Sequence, residues 1–103
     1  MRLALLAEAE AELEAAATWY DDRSEGLGDE FVAVAREAMM LVVEAPESWP
    51  VWPEAPARIP PIRRFLMPRF PYALAYQVFP GLLAVLAVVH VRRRPLYWIG
   101  RAK

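Results

Sequence analysis

Apolar residues recur at two different periods along this chain, and the change of period divides it in two. Over 6–20, Leu6, Ala9, Leu13, Ala16 and Tyr20 return at intervals of three and four, the spacing of one helix face. The residues between them are mostly Ala and Glu, which favour helix. "SEGLGDEF" (24–31) interrupts the pattern. Gly26 and Gly28 supply the backbone freedom for a tight reversal, and Asp29 and Glu30 suit the first turn of a following helix. A second stripe of Leu27, Phe31, Val34, Ala38, Leu41 and Ala45, widened by Ala35 and Val42, predicts a helix from about 27 to 44. Two antiparallel helices result.

The segment 45–61 holds six prolines, so neither a helix nor a central strand can run through it. Trp49 and Trp52 are expected to anchor it against the core. Three strand candidates follow, "IRRFLMPRF" (62–70), "YALAYQVF" (72–79) and "LLAVLAVVHVR" (82–92), joined by short connections that make them antiparallel neighbours. The run 70–91 is long and apolar enough to suggest a membrane span, but Pro80-Gly81 breaks it at its middle and fits a type II turn. It reads as a hairpin of buried strands, and no membrane association is expected. With "MRLALL" as a short first strand, the order is β-α-α-β-β-β. The fold class is α+β, with a helical hairpin packed on a small antiparallel sheet in one domain spanning 1–103. A sheet covered by helices on one face only would leave apolar surface and an edge in need of a partner.

Charge sharpens the division. The net charge is −1, yet all 13 acidic residues lie before position 58 and none lies in 58–103, which holds nine of the 12 basic ones. An acid-free basic half points to an anionic partner, whether nucleic acid, an acidic protein surface or a membrane headgroup layer. The alternative is that acidic helices pack beside a basic sheet, so that the two halves complement each other. There is no cysteine, which removes thiol chemistry and disulfides and suits the cytoplasm. A single histidine cannot build a multi-His metal site. Glu8, Glu10, Glu12 and Glu14 form two i,i+4 pairs pointing in different directions, a solvated face rather than a metal cage. No metal and no cofactor is expected.

The candidate chemistry is therefore basic and aromatic. Phosphate-cradling glycine loops are missing, and Ser24 and Ser48 stand outside any nucleophile motif. In "VHVRRRPLYW" (89–98), strand alternation would aim His90, Arg92 and Arg94 one way and Val91 and Arg93 the other. Arg63 and Arg64 lie on a neighbouring strand, with Arg58 just before it and Arg69 at its far end. Arg58, Arg63, Arg64, Arg69, Arg92, Arg93 and Arg94, with Tyr97 and Trp98, are the candidate contacts to a partner. Trp98 also suits a hydrophobic latch covering the sheet edge. A metal-independent ribonuclease could draw on Arg64, His90, Arg92 and Tyr97, with arginines stabilising a phosphate and His or Tyr moving a proton.

Four stretches, "EAEAELEAAATWYDDRSEGLGDEF" (8–31), "PESWPVWPE" (46–54), "RRFLMPRFPYALAYQV" (63–78) and "LAVVHVRRRPLYW" (86–98), carry a resemblance across nearly the whole chain. Together, in this order, the chain resembles the RelE/ParE toxin superfamily of bacterial type II toxin-antitoxin systems, in its ParE-like, plasmid stabilization branch. The resemblance implies a compact growth-inhibiting toxin neutralised by a cognate antitoxin. ParE-like members inhibit DNA gyrase by binding; RelE-like members cleave messenger RNA on the ribosome. The chain departs from the basic nuclease pattern, because its sole lysine is Lys103 and no acid lies on the strands after residue 57. The ParE-like reading is therefore preferred, with the ribosome-dependent endoribonuclease as the alternative and a non-toxic, antitoxin-binding protein as a third.

Overall fold

The computed structural model describes residues 1–103. Its elements run β1 (Arg2–Leu5), α1 (Ala7–Arg23), α2 (Leu27–Glu44), β2 (Ile62–Leu66), β3 (Tyr72–Phe79) and β4 (Leu82–His90), closing on a 3₁₀ turn at Ile99–Arg101. Glu8 and Glu10 in the first turn of α1 oppose the positive end of its dipole. The reversal into α2 depends on Asp21, whose Oδ1 accepts the N–H groups of Gly26 (3.1 Å) and Gly28 (2.9 Å). One carboxylate from the preceding helix thus takes the place of a side-chain cap within α2. Gly26 sits at φ +87°, and a Cβ on Gly28 would fall 2.4 Å from the Ala17 carbonyl oxygen. The two helices therefore cross at backbone contact distance.

The sheet order is β1-β4-β3-β2. β2, β3 and β4 are antiparallel neighbours as the sequence predicts, but β1 lies parallel to β4, with Arg2 opposite Leu82 and Leu5 opposite Val85. The sheet is mixed because the helical hairpin acts as the long crossover that a parallel pair requires. Phe79 and Leu82 pair across Pro80-Gly81, where Gly81 adopts φ +70°, the glycine position of a type II turn. Two strands end sooner than expected. β2 stops at Leu66, because Pro68 lacks an N–H and Arg69 is left-handed at φ +68°. β4 stops at His90, opposite the first residue of β3, so the chain beyond it has no strand to pair with.

β3 and β4 are buried at successive positions rather than alternate ones, and they are covered on both faces. The inner core joins the helices to the sheet through Phe31, Ala35, Ala38 and Val42 against Leu74, Tyr76, Leu83 and Val85. Tyr20, Phe31, Phe70 and Tyr72 meet edge-on or tilted at its end, with centroids 4.9–5.4 Å apart for Tyr20–Phe31, Tyr20–Phe70, Phe31–Phe70 and Phe31–Tyr72. The outer core sets Trp98, Trp52 and the closing turn over Ile62, Ala75, Leu86, Ala87 and Val89. The expectation of a sheet covered on one face only is thereby corrected. The acid-free tail returns over the outer face because the apolar run of β3 and β4, interrupted inside only by Gln77, leaves no polar face for water.

A bulge reconciles the two cores. Tyr76 pairs with Val85 and Ala75 with Ala87, leaving Leu86 as an extra residue. Leu86 and Ala87 both enter the outer core, while Val85 and Val88 both enter the inner one. The far edge of β2 is blunted by the proline-rich segment. Val51 bridges Arg63, Trp52 N–H bonds Ile62 O (2.8 Å) and Arg64 N–H bonds Pro50 O (2.9 Å).

Candidate functional site

Past Val85, β4 has lost β1 as a neighbour, since β1 ends at Leu5. The polar groups of the bulge on that side are met by side chains instead. Glu12 reaches from α1 and accepts the Val88 N–H (3.0 Å), the Tyr97 hydroxyl, and Arg101 at 2.9 and 3.3 Å. Arg101 also donates to the Leu86 carbonyl (3.1 Å). The side chains of Glu12 and Arg101 are 13% and 18% exposed, so this is a largely desolvated pair. The solvated-face reading of the four glutamates fails for Glu12 alone. Glu8, Glu10 and Glu14 are exposed, whereas Glu12 lies three residues after buried Ala9 and four before buried Ala16, on the packed face of α1. Those two spacings, with a basic half that supplies no acid of its own, are the sequence signal for it.

His90 closes β4. Its Nδ1 accepts the Arg92 N–H (3.1 Å), its carbonyl accepts the Arg93 N–H (3.0 Å), and its ring meets Tyr72 edge-on at 5.1 Å. These bonds turn the chain, so the strand-like alternation expected for His90, Arg92 and Arg94 against Val91 and Arg93 does not arise. His90 and Arg93 instead line two depressions on either side of the end of β4. The larger, ≈ 710 Å³, runs beside α1 over Ala11, Ala15 and Trp19 to Tyr72. The smaller, ≈ 140 Å³, lies on the outer face and is bounded by Arg64, Arg94, Trp52 and Trp98.

The remaining candidates separate by what holds them. Arg63 is spent on the proline-rich segment, donating to the carbonyls of Glu47 (3.2 Å) and Trp49 (2.8 Å). Arg69 makes an exposed ion pair with Glu30 at 2.9 Å. Arg58 lies half-buried on the proline-rich segment, and Arg92 is exposed and lines neither depression. Arg93 lies over the Tyr97 ring at 4.4 Å. Trp98 is fully buried and meets Trp52 edge-on at 4.8 Å. Burial foremost, then the hydrogen bond to Glu12, hold the Tyr97 hydroxyl well above the usual phenol range. Arg64 and His90 share the small cleft, while the hydroxyl of Tyr97 is committed to Glu12 and Arg92 stands apart.

Chemically, the region offers fixed positive charge, one imidazole and little else. The structure gathers no group of three or more carboxylates and imidazoles. No helix is long and apolar enough to cross a membrane. No protein-family model matches the chain, and no curated protein matches it. Among solved structures, the chain is similar to one from the chromosomal ParDE TA system of P. aeruginosa, with a TM-score of 0.74 and 18% identity. The likeness covers 89% of this chain and 97% of that one. At this identity the likeness establishes the fold, which is α+β and RelE/ParE-like.

Proposed function

We propose that the chain is the toxin of a type II toxin-antitoxin system, ParE-like, which inhibits DNA gyrase by binding and is neutralised by a cognate antitoxin. The observation that carries this reading is the fold shared with the ParDE structure over 89% of the chain. The chemistry of the tail supports binding over catalysis. Arg92, Arg93 and Arg94 enter no ion pair, so their charge is available to a partner, whereas Tyr97, the natural proton carrier of a nuclease site, is tied to Glu12.

Antitoxin dependence has a physical basis in the one sheet edge left open. The outer side of β1 carries no strand. Beside it, Leu3, Met39, Met40 and Val43 line an apolar depression, with Met40 68% exposed. A partner strand or helix laid there would bury both the edge and the patch. Inducing the chain alone, and then with the adjacent reading frame, tests the toxin reading; unimpaired growth in both cultures refutes it. Supercoiling by purified gyrase tests the target, and full activity at stoichiometric excess of the chain refutes gyrase.

A second reading, the ribosome-dependent endoribonuclease, draws on the placement of Arg64 and His90 in one cleft. Primer extension on translated messages would show discrete cuts lost in His90→Ala. Growth inhibition with neither cuts nor loss of supercoiling would exclude both targets, and no inhibition at all fits the non-toxic, antitoxin-binding protein.

A further inference from the structure

On the outer face of the sheet, arginines from two distant parts of the chain converge on the ≈ 140 Å³ cleft. Arg64 rises from β2, and Arg93 and Arg94 descend from the turn after β4. Ala73, opposite Val89, lines the cleft, and its small side chain leaves room there. The three guanidinium groups enter no ion pair, for the two ion pairs of the protein are Arg69–Glu30 and Arg101–Glu12. A single acid, Glu54, borders the cleft and pairs with none of them.

Three buried side-chain N–H groups in the protein lack an acceptor, and two of them belong to residues of this cleft: Nε of Arg64 and Nε1 of Trp98. Buried donors are nearly always satisfied, so these two around the cleft are exceptions. The rim is apolar. Leu66 and Val91 are 57% and 52% exposed on either side of the positive charge. The two indoles of the cleft are poorly placed to stack a base: Trp98 is buried, and half-buried Trp52 packs edge-on against it with the Arg64 guanidinium 5.7 Å from its ring centre.

We infer that this cleft recognises a carboxylate presented by a partner protein, an Asp or Glu side chain set between apolar residues. The planar fork of Arg64 suits a carboxylate bidentately, Arg93 and Arg94 neutralise it, and the flanking apolar side chains cover Leu66 and Val91. The inference goes beyond the toxin reading and does not rest on it, since it requires only a protein partner and holds whatever the effect on gyrase.

The test is a titration of the isotope-labelled full chain followed through the Trp98 indole N–H, assigned with Trp98→Phe. The probes are N-acetyl-Leu-Glu-Leu amide, its Gln counterpart, inorganic phosphate and hexathymidylate. The Glu peptide is expected to shift the resonance saturably. The Gln peptide should bind about tenfold more weakly or worse, as loss of a charge-assisted pair requires. Arg64→Gln should weaken the Glu peptide by about the same factor, and Arg58→Gln, outside the cleft, should leave it unchanged. Should Arg64→Gln lose its native spectrum, Arg94→Gln on the exposed turn takes its place with the same expectation. The inference is overturned if the Glu peptide gives no saturable shift, or if the Gln peptide binds equally. Phosphate or hexathymidylate binding as tightly as the Glu peptide overturns it too, in favour of a nucleic-acid phosphate site.

Discussion

Glu12→Ala is the most informative single change in this protein. It removes at once the acceptor for the Val88 N–H, the Tyr97 hydroxyl and Arg101. Arg101 would then hold a charge 18% exposed with no carboxylate beside it. Stripping one partner from a fully buried pair costs about 3–5 kcal/mol. Partial access of water to both side chains puts this pair at the lower end, about 3 kcal/mol. With a urea slope of about 1.5 kcal/mol per molar, typical of a small domain, the midpoint falls by about 2 M. Glu10→Ala, one residue pair away on the exposed face, should shift it by less than about 0.5 kcal/mol. The assay is urea unfolding by tryptophan fluorescence, which also reads whether Trp98 loses its cover. Arg101→Ala and the double variant complete a thermodynamic cycle, in which the double variant should be less destabilised than the sum of the singles by at least about 1 kcal/mol. A Glu12→Ala cost below about 1 kcal/mol, or simple additivity, would refute the assignment of Glu12 as the clamp between α1, the bulge and the tail.

Three further outcomes follow from the packing. Gly28→Ala places a methyl group against the Ala17 carbonyl and should cost about 2–3 kcal/mol in thermal unfolding, with the helical hairpin splayed; wild-type stability would contradict the close crossing. Arg63→Ala removes two bonds to the proline-rich segment, so limited proteolysis should cut within 45–61 several times faster while β3 and β4 stay intact. Alkali should destabilise the protein from the onset of phenol ionisation. Burial raises Tyr20, Tyr72, Tyr97 and Tyr76, the last to about 12. Below about pH 10 both states keep these protons and the stabilisation is complete; above it the unfolded chain sheds them first, and stability falls until the folded values are reached. Tyr97→Phe should flatten that fall in denaturation midpoints taken across the range, and an unchanged slope would exclude Tyr97 as a contributor.

The helices were legible in the sequence because their apolar stripes are long and periodic, and because Gly26 and Gly28 mark the reversal so sharply. The strands were legible as apolar runs, and Pro80-Gly81 as the turn between two of them. What escaped was set by pairing at long range. Nothing local to "MRLALL" says that it lies parallel to a strand eighty residues later. Nothing local to β4 announces the bulge at Leu86, because every nearby residue is apolar and either parity satisfies the pattern. Trp98 read as a latch over the sheet edge; its place on the outer face instead depends on two largely apolar strands needing cover from both sides. Glu12 was hidden among three look-alikes, and only its register with Ala9 and Ala16 distinguishes it. Of the basic residues, the sequence yields their clustering. It does not show that Arg63 is consumed by backbone carbonyls, nor that Arg64 is left facing a cleft.

The clamp on Glu12 also bears on how this chain is made. Its bonds join residues 76, 85 and 89 positions apart, and β1 waits for β4 across a comparable stretch. Contacts of such sequence separation form late, after the loop between them has been closed at an entropic cost. During synthesis the helical hairpin emerges early and can pack on itself, but its buried carboxylate finds no cation and its neighbouring strand finds no partner until the residues of β4 and the closing turn have emerged. The growing chain therefore carries an unfinished sheet and an unpaired Glu12 until β4 and the turn at Ile99–Arg101 have been made. The outer face, which Trp98 and the closing turn complete, is therefore the last part of the molecule to take shape.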